Sequence, residues 1–239
     1  MEQDTLDRLK QKIANYEPSS ETKQVVRATP KLFLVGISGA GKGTIRDQLM
    51  HTGGYHRIVT STTRQPRSNN GVLERDGVDY HFLSFAEAER MLDAGEYVEA
   101  ALYSGNVYGA SVAELRDAHA ADQIAIADIE VQGVATYMKI DPQNTHAVFI
   151  VPPSYDEWQK RLLGRYQSAI DRADYDKRMQ AARHELQHVL EVPYYHFVVN
   201  NVLGDAVTKA ASIVAGKRGP EAEATGRQTA EDILRRLDQ

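Results

Sequence analysis

A chain of 239 residues with 42% hydrophobic and 26% charged residues has the length of one large or two small domains and enough apolar material for a buried core. Its net charge of −5 excludes the broad basic field of a generic nucleic-acid or membrane binder, so phosphate binding must come from local clusters. The absence of cysteine excludes disulfides and thiol catalysis. No stretch approaches the roughly eighteen apolar residues of a membrane span. The acidic start Met1-Glu2-Gln3-Asp4 lacks the apolar core of a signal peptide, so a cytoplasmic protein is expected.

Residues 1–30 read as an N-terminal helix and linker. Leu6, Leu9 and Ile13 suit a short amphipathic helix, and Pro18-Ser19-Ser20-Glu21-Thr22 a connector. That helix packs either on its own domain or on a second subunit; monomer and homodimer both stay open. The ordered domain is expected over 31–215. Strands are predicted at 31–35, 122–127, 146–151 and 196–199, with a shorter one near 56–59. They are apolar without clean alternation, as buried parallel strands are. Three helices open with a capping-box pattern, at Ser84–Glu87, Ser111–Glu114 and Ser154–Glu157, and Gly95 is placed to close the first. Residues 174–190 form a long charged helical pattern. Alternating strands and helices predict an α/β fold, a central parallel sheet flanked by helices. Its core spans 31–59 and 121–215; residues 60–120 break the rhythm as an inserted lobe. Residues 216–239 read as a linker, Gly219 to Gly226, and a short helix, Ala230 to Leu237.

Two short motifs carry chemistry. Gly36-Ile37-Ser38-Gly39-Ala40-Gly41-Lys42-Gly43-Thr44 follows the strand Leu32-Phe33-Leu34-Val35 and opens a helix. Its glycines let backbone N–H groups approach a polyphosphate, the helix N-terminus adds partial positive charge, and Lys42 reaches the outer phosphates. The strict pattern places Ser or Thr directly after the lysine to help hold Mg²⁺. Here that position is Gly43, with the hydroxyl one residue later at Thr44, a form that resembles adenylate kinases. The second motif, Ser61-Thr62-Thr63-Arg64-Gln65-Pro66-Arg67, supplies two guanidinium forks three residues apart, a second phosphate clamp.

Further along come Asp79-Tyr80-His81-Phe82, Tyr97-Val98-Glu99, Ser104-Gly105-Asn106-Val107-Tyr108-Gly109 and Asp128-Ile129-Glu130-Val131-Gln132-Gly133. With these in order, the chain resembles the guanylate kinase family from about Lys31 to about Ala215. The resemblance rests on Gly-x-Ser-Gly-x-Gly-Lys, Thr-Thr-Arg-x-Pro-Arg, Ser-Gly-Asn-x-Tyr-Gly and Asp-x-x-x-Gln-Gly. It implies a P-loop kinase with an inserted GMP-binding lobe and a short lid at about 161–178. It also implies ATP and GMP or dGMP as substrates, with Mg²⁺.

The resemblance further implies roles by position. Arg64 and Arg67 hold the acceptor phosphate, with hydroxyls from Tyr80 and Tyr108. Glu99 accepts from guanine N1–H and its exocyclic amine, and Thr60 donates to guanine O6. Glu130 stands where an aspartate usually contacts the guanine, and Ala110 where a serine often assists. ATP would lie on Gly36, Ser38, Gly39, Ala40, Gly41, Lys42, Gly43 and Thr44, with Asn200 near the adenine. Thr44 and Asp128 would serve Mg²⁺, directly or through water. Arg161, Arg165 and Arg178 are lid arginines neutralising the transferring group, so the implied catalytic set is Lys42, Arg64, Asp128, Arg161, Arg165 and Arg178. The stretch Ser68 to Asp76 is longer than the family norm by about four residues and reads as a surface insertion. Three alternatives remain open: a kinase for another purine monophosphate, motivated by Thr60, Ala110 and Glu130; a guanylate-kinase-like module that binds phosphorylated proteins; and a regulatory P-loop NTPase.

Overall fold

The structure, a computed structural model, describes residues 2–69, 71–164, 172–217 and 219–239. In chain order the elements are α1 (Glu2–Ala14), α2 (Ser20–Ala28), β1 (Lys31–Val35), α3 (Lys42–His51), β2 (Tyr55–Arg57), β3 (Ser61–Thr62), β4 (Ser68–Asn69), β5 (Val72–Leu73), β6 (His81–Phe82), α4 (Phe85–Asp93) and β7 (Tyr97–Tyr103). There follow β8 (Asn106–Ser111), α5 (Val112–Ala120), β9 (Ile124–Asp128), α6 (Val131–Ile140), β10 (Thr145–Val151), α7 (Tyr155–Leu163), α8 (Arg172–Glu191), β11 (Tyr195–Val199), α9 (Leu203–Val214) and α10 (Pro220–Leu237). They form two compact units. The first comprises Met1–Lys31, Gly54–Ala125 and Thr136–Asn144; the second comprises Leu32–Gly53, Ile126–Ala135 and Thr145–Gln239.

The second unit is built on β11, β10, β1 and the end of β9, neighbours in that order in the parallel sheet. Every residue of β1 is buried, and Phe149 of β10 lies in parallel register with Phe197 of β11. Strands buried on both faces need apolar residues at successive positions, which is why these runs show no alternation. β1 lies between β9 and β10, so the strand order reverses beside its carboxyl end, where ligands of open α/β sheets bind. The phosphate loop starts there.

The first unit carries a four-stranded sheet, β6-β3-β8-β7, and the antiparallel pair β4–β5. β7 and β8 are joined through Ser104 and Gly105, both at positive φ (47° and 76°), the primed turn that suits a tight hairpin. α1 packs here, on β7 and α4 of its own chain, with Leu9 fully buried. Ile124 N donates to Gly54 O, setting the start of β9 beside β2.

Both termini differ from expectation. The segment read as a connector after Pro18 is α2. Ser19 accepts from the Thr22 N–H, and Thr22 and Val26 are buried. The Gly/Pro-rich segment after Lys217 is part of one continuous helix, α10. Pro220 takes the first-turn position, where its missing N–H costs nothing. Gly226 is there because a Cβ would strike Phe197 of β11, at 2.6 Å from its Cβ. Of the capping boxes, only Ser84–Glu87 closes in both directions. Glu114 turns instead to His56 Nε2 (3.1 Å), His81 Nε2 (2.6 Å) and the Val59 N–H (3.3 Å), and Glu157 turns to Arg161.

Candidate active site

The second unit holds the phosphate loop in place from three sides. Trp158 of α7 donates through Nε1 to Ser38 O at 2.7 Å, and Arg178 of α8 through Nη1 to Ser38 Oγ at 2.9 Å. Asn200, at the end of β11 and nearly buried, donates through Nδ2 to Ala40 O at 2.9 Å. Gly41 sits at φ +93°, and a Cβ there would strike that amide, so this position admits only glycine. Arg161 donates through Nη1 to Asn200 O at 3.0 Å. Lys42 Nζ folds back on the carbonyls of Gly36 and Ile37. Asn200, assigned to the adenine by resemblance, thus buttresses the loop. Arg165 lies outside the described residues.

A cavity of about 450 Å³ opens over this loop, walled by Gly36, Lys42, Gly43, Asp128, Glu130 and Glu185 among others. Arg46, one helical turn after Lys42, donates through Nη1 to Asp128 Oδ2 at 3.0 Å. Gly43 faces the same oxygen, and a Cβ there would come to 3.6 Å. Thr44 is exposed on α3 and outside the cavity wall. Mg²⁺ takes hard oxygen ligands. The Asp128 and Glu130 carboxylates in the cavity wall fit it together with a nucleotide's phosphates. Glu185 of α8 has its carboxyl pushed up to about 7, first by burial and then by Glu130, against the pull of Lys42. Its Oε2 is buried with no hydrogen-bond partner among the described residues.

The first unit assembles the second clamp. Arg64 is 9% exposed and donates through Nη1 to Gln65 O (2.7 Å) and Glu74 Oε2 (2.8 Å), and through Nη2 to Glu74 Oε1 (3.1 Å). Its Nε is buried with no hydrogen-bond partner among the described residues. Its guanidinium lies 5.2 Å from the centre of the Tyr80 ring, and the Tyr80 and Tyr108 rings are 6.2 Å apart. Glu74 holds the Arg64 pKa above its ordinary value, with Tyr108 adding to the effect. In return, Arg64 and the Arg67 N–H hold the Glu74 carboxyl below its own. The Arg67 side chain is exposed.

The strand register completes the arrangement. Thr62 pairs with Tyr108 and with Phe82, and Ala101 pairs with Tyr108. Paired residues share a face and alternate residues repeat it, so Glu99, Tyr108 and Phe82 project from one face of the sheet. Glu99 also acts on Tyr137 of α6, whose hydroxyl pKa burial and then this carboxylate push well up. Thr60 is half-buried, its carbonyl accepting from the His81 N–H. Four groups escaped the sequence reading: Arg46, Glu74, Trp158 and Glu185. Arg46 had a signal, the i+4 spacing from Lys42. Glu74 lies in the stretch read as an insertion.

Comparison with known proteins bears on both clamps together. The family described as guanylate kinase matches residues 28–217. A guanylate kinase of Sus scrofa is 32% identical over 197 residues, 82% of this chain and 96% of its own length. One of Geobacter metallireducens is 36% identical over 190 residues, 78% of this chain and 89% of its own. The crystal structure of guanylate kinase from Anaplasma phagocytophilum superposes with a TM-score of 0.54 at 24% identity, covering 82% of this chain and 90% of that one. That likeness supports the fold, and the sequence matches support the lineage: the chain belongs to the guanylate kinase family.

Proposed function

We propose that this chain transfers the γ-phosphoryl group of ATP to GMP, and to dGMP, giving ADP and the nucleoside diphosphate in purine nucleotide metabolism. The observation that carries this reading is the pairing of two chemistries in one chain. One is a glycine-rich phosphate loop with Lys42. The other is a second, separate clamp in which Arg64 keeps a buried Nε with no hydrogen-bond partner among the described residues, its guanidinium near Tyr80, whose ring adjoins that of Tyr108. A nucleotide hydrolase needs only the first; a kinase with a phosphorylated acceptor needs both.

In this reading the loop N–H groups and Lys42 cradle the ATP phosphates, Lys42 leaving the carbonyls of Gly36 and Ile37 to do so. Asp128, held by Arg46, and Glu130 would hold Mg²⁺, which would supply charge neutralisation on the outer phosphates. Arg64 Nε and the two tyrosine hydroxyls take the acceptor phosphate, while Glu99 and Thr60 read the guanine. Arg161 and Arg178 are placed by Asn200 and Ser38 to balance the transferring group. The acceptor phosphate is already ionised, so no general base is required and alignment supplies most of the rate. No helix among the described residues is long and apolar enough to cross a membrane; a cytoplasmic site of action agrees with such substrates.

The test is ADP release with Mg-ATP against GMP, dGMP, AMP, IMP, UMP, CMP and no acceptor. Turnover confined to GMP and dGMP is expected. Turnover with no acceptor, or best with a pyrimidine, overturns the reading.

A further inference from the structure

α1 and α2 lie almost wholly before residue 28, where the family match begins. Within the first unit α2 packs on α5, where Arg116 donates to Glu21, and both helices meet the approach to Glu99. Ser19 N and Thr22 Oγ1 both donate to Gly95 O, at 3.0 and 2.7 Å. Gly95 must be glycine, since its φ is +65° and a Cβ would lie 2.7 Å from Ser19 N. Two residues on, Tyr16 donates its hydroxyl to Tyr97 O at 2.5 Å. Arg8 and Lys12 fix α1 on α4 through Glu89 and Asp93.

Tyr97 is a junction. β7 is the edge strand of its sheet. Its ladder to β8 slips between Tyr97, opposite Ser111, and Glu99, opposite Ala110. The extra residue, Val98, makes a β-bulge, and a bulge re-aims the side chains that follow it. The Tyr97 ring lies against Gly109, where a Cβ would meet it at 2.6 Å, and Ser61 Oγ donates to the Tyr97 hydroxyl at 3.3 Å. The Tyr16 hydroxyl thus binds the carbonyl of the residue just before the bulge, two residues ahead of Glu99.

We infer that Tyr16, supplied from outside the family match, is a positioning residue for guanine recognition: its hydroxyl fixes the Tyr97–Glu99 bulge and so aims the Glu99 carboxylate. This rests on the reading of Glu99 as the group that reads the guanine N1–H and amine. Burial raises the Tyr16 pKa far above its ordinary value, so the phenol remains a donor throughout the working pH range.

The test compares Tyr16→Phe, Glu99→Gln and the double variant in the full chain, with GMP and with IMP, which lacks the exocyclic amine. Tyr16→Phe keeps the ring in the Leu9–Met91–Tyr97 cluster and removes only the donor. We expect KM for GMP to rise about two- to tenfold and the preference for GMP over IMP to fall. kcat and KM for ATP should stay at wild-type values. In the double variant the Tyr16 change should have no further effect on the GMP/IMP ratio, because the two act in series. If Glu99→Gln leaves that ratio untouched, the reading of Glu99 fails. If Glu99→Gln lowers it while Tyr16→Phe leaves KM and ratio at wild type, or changes kcat and both KM values alike, the positioning role is overturned.

Discussion

Glu74 closes on Arg64 through two hydrogen bonds, 2.8 and 3.1 Å, and with its Oε2 also accepts the Arg67 N–H at 2.8 Å. One carboxylate from the 68–76 stretch thus holds the Arg64 guanidinium and the Arg67 backbone. It takes up Nη1 and Nη2 of Arg64 and leaves Nε buried with no hydrogen-bond partner among the described residues, the donor proposed above for the acceptor phosphate.

Glu74→Ala should therefore weaken the acceptor without disabling the chemistry. The freed guanidinium keeps its charge but loses its orientation. KM for GMP should rise on the order of tenfold, with kcat at saturating GMP within about twofold of wild type. Glu74→Gln, which keeps one acceptor oxygen, should fall between the two. Steady-state kinetics at fixed saturating ATP reads this. A drop in KM on either substitution would instead mark Glu74 as a competitor of the phosphate.

Lys42→Ala should act on the other step. Lys42 lines the 450 Å³ cavity over the phosphate loop, and in the reading proposed above its charge matters most as the γ-phosphoryl group leaves. kcat should fall by about 10²-fold or more, while GMP binding, followed by calorimetry without ATP, stays within about twofold. Equal loss of both would remove Lys42 from the transfer step.

Gly43 offers a gain-of-function test. The residue after the lysine lies against Asp128 Oδ2, and a Cβ there makes only ordinary contacts, at 3.6 Å and 3.8 Å. Gly43→Ser should fold normally and place a hydroxyl beside the carboxylate. The Mg²⁺ concentration for half-maximal turnover should fall by about two- to fivefold. An unchanged Mg²⁺ titration would show that a hydroxyl at this position adds nothing to metal binding.

The fold was legible because buried parallel strands announce themselves. Predicted strands at 31–35 and 196–199 differ from β1 and β11 by a residue at most. The two motif loops were legible because glycine spacing and paired arginines have few other uses. What escaped was set by contacts distant in sequence. Nothing local distinguishes Glu74 from a solvated loop charge, or says that Asn200 will reach back 160 residues to Ala40. Gly226 and Pro220 read as linker residues for the same reason: their helix is specified by close packing on Phe197, which local propensity does not record.

Glu185 gives the pH dependence of the site. Its carboxyl is raised from 4.5 to about 7, so the folded state holds a proton that the unfolded chain releases. The stability linked to this group is full below about 4.5 and is lost as pH rises through about 7. Above that, a third negative charge joins Asp128 and Glu130 around the phosphate cavity. KM for ATP should therefore climb between pH 6 and 8, by about two- to fivefold beyond what ATP's own titration produces. Glu185→Gln mimics the protonated form. It should flatten that excess, lower KM for ATP at pH 8, and raise the melting temperature relative to wild type at pH 8 but not at pH 5. Parallel profiles for the two proteins would show that Glu185 does not titrate in this window.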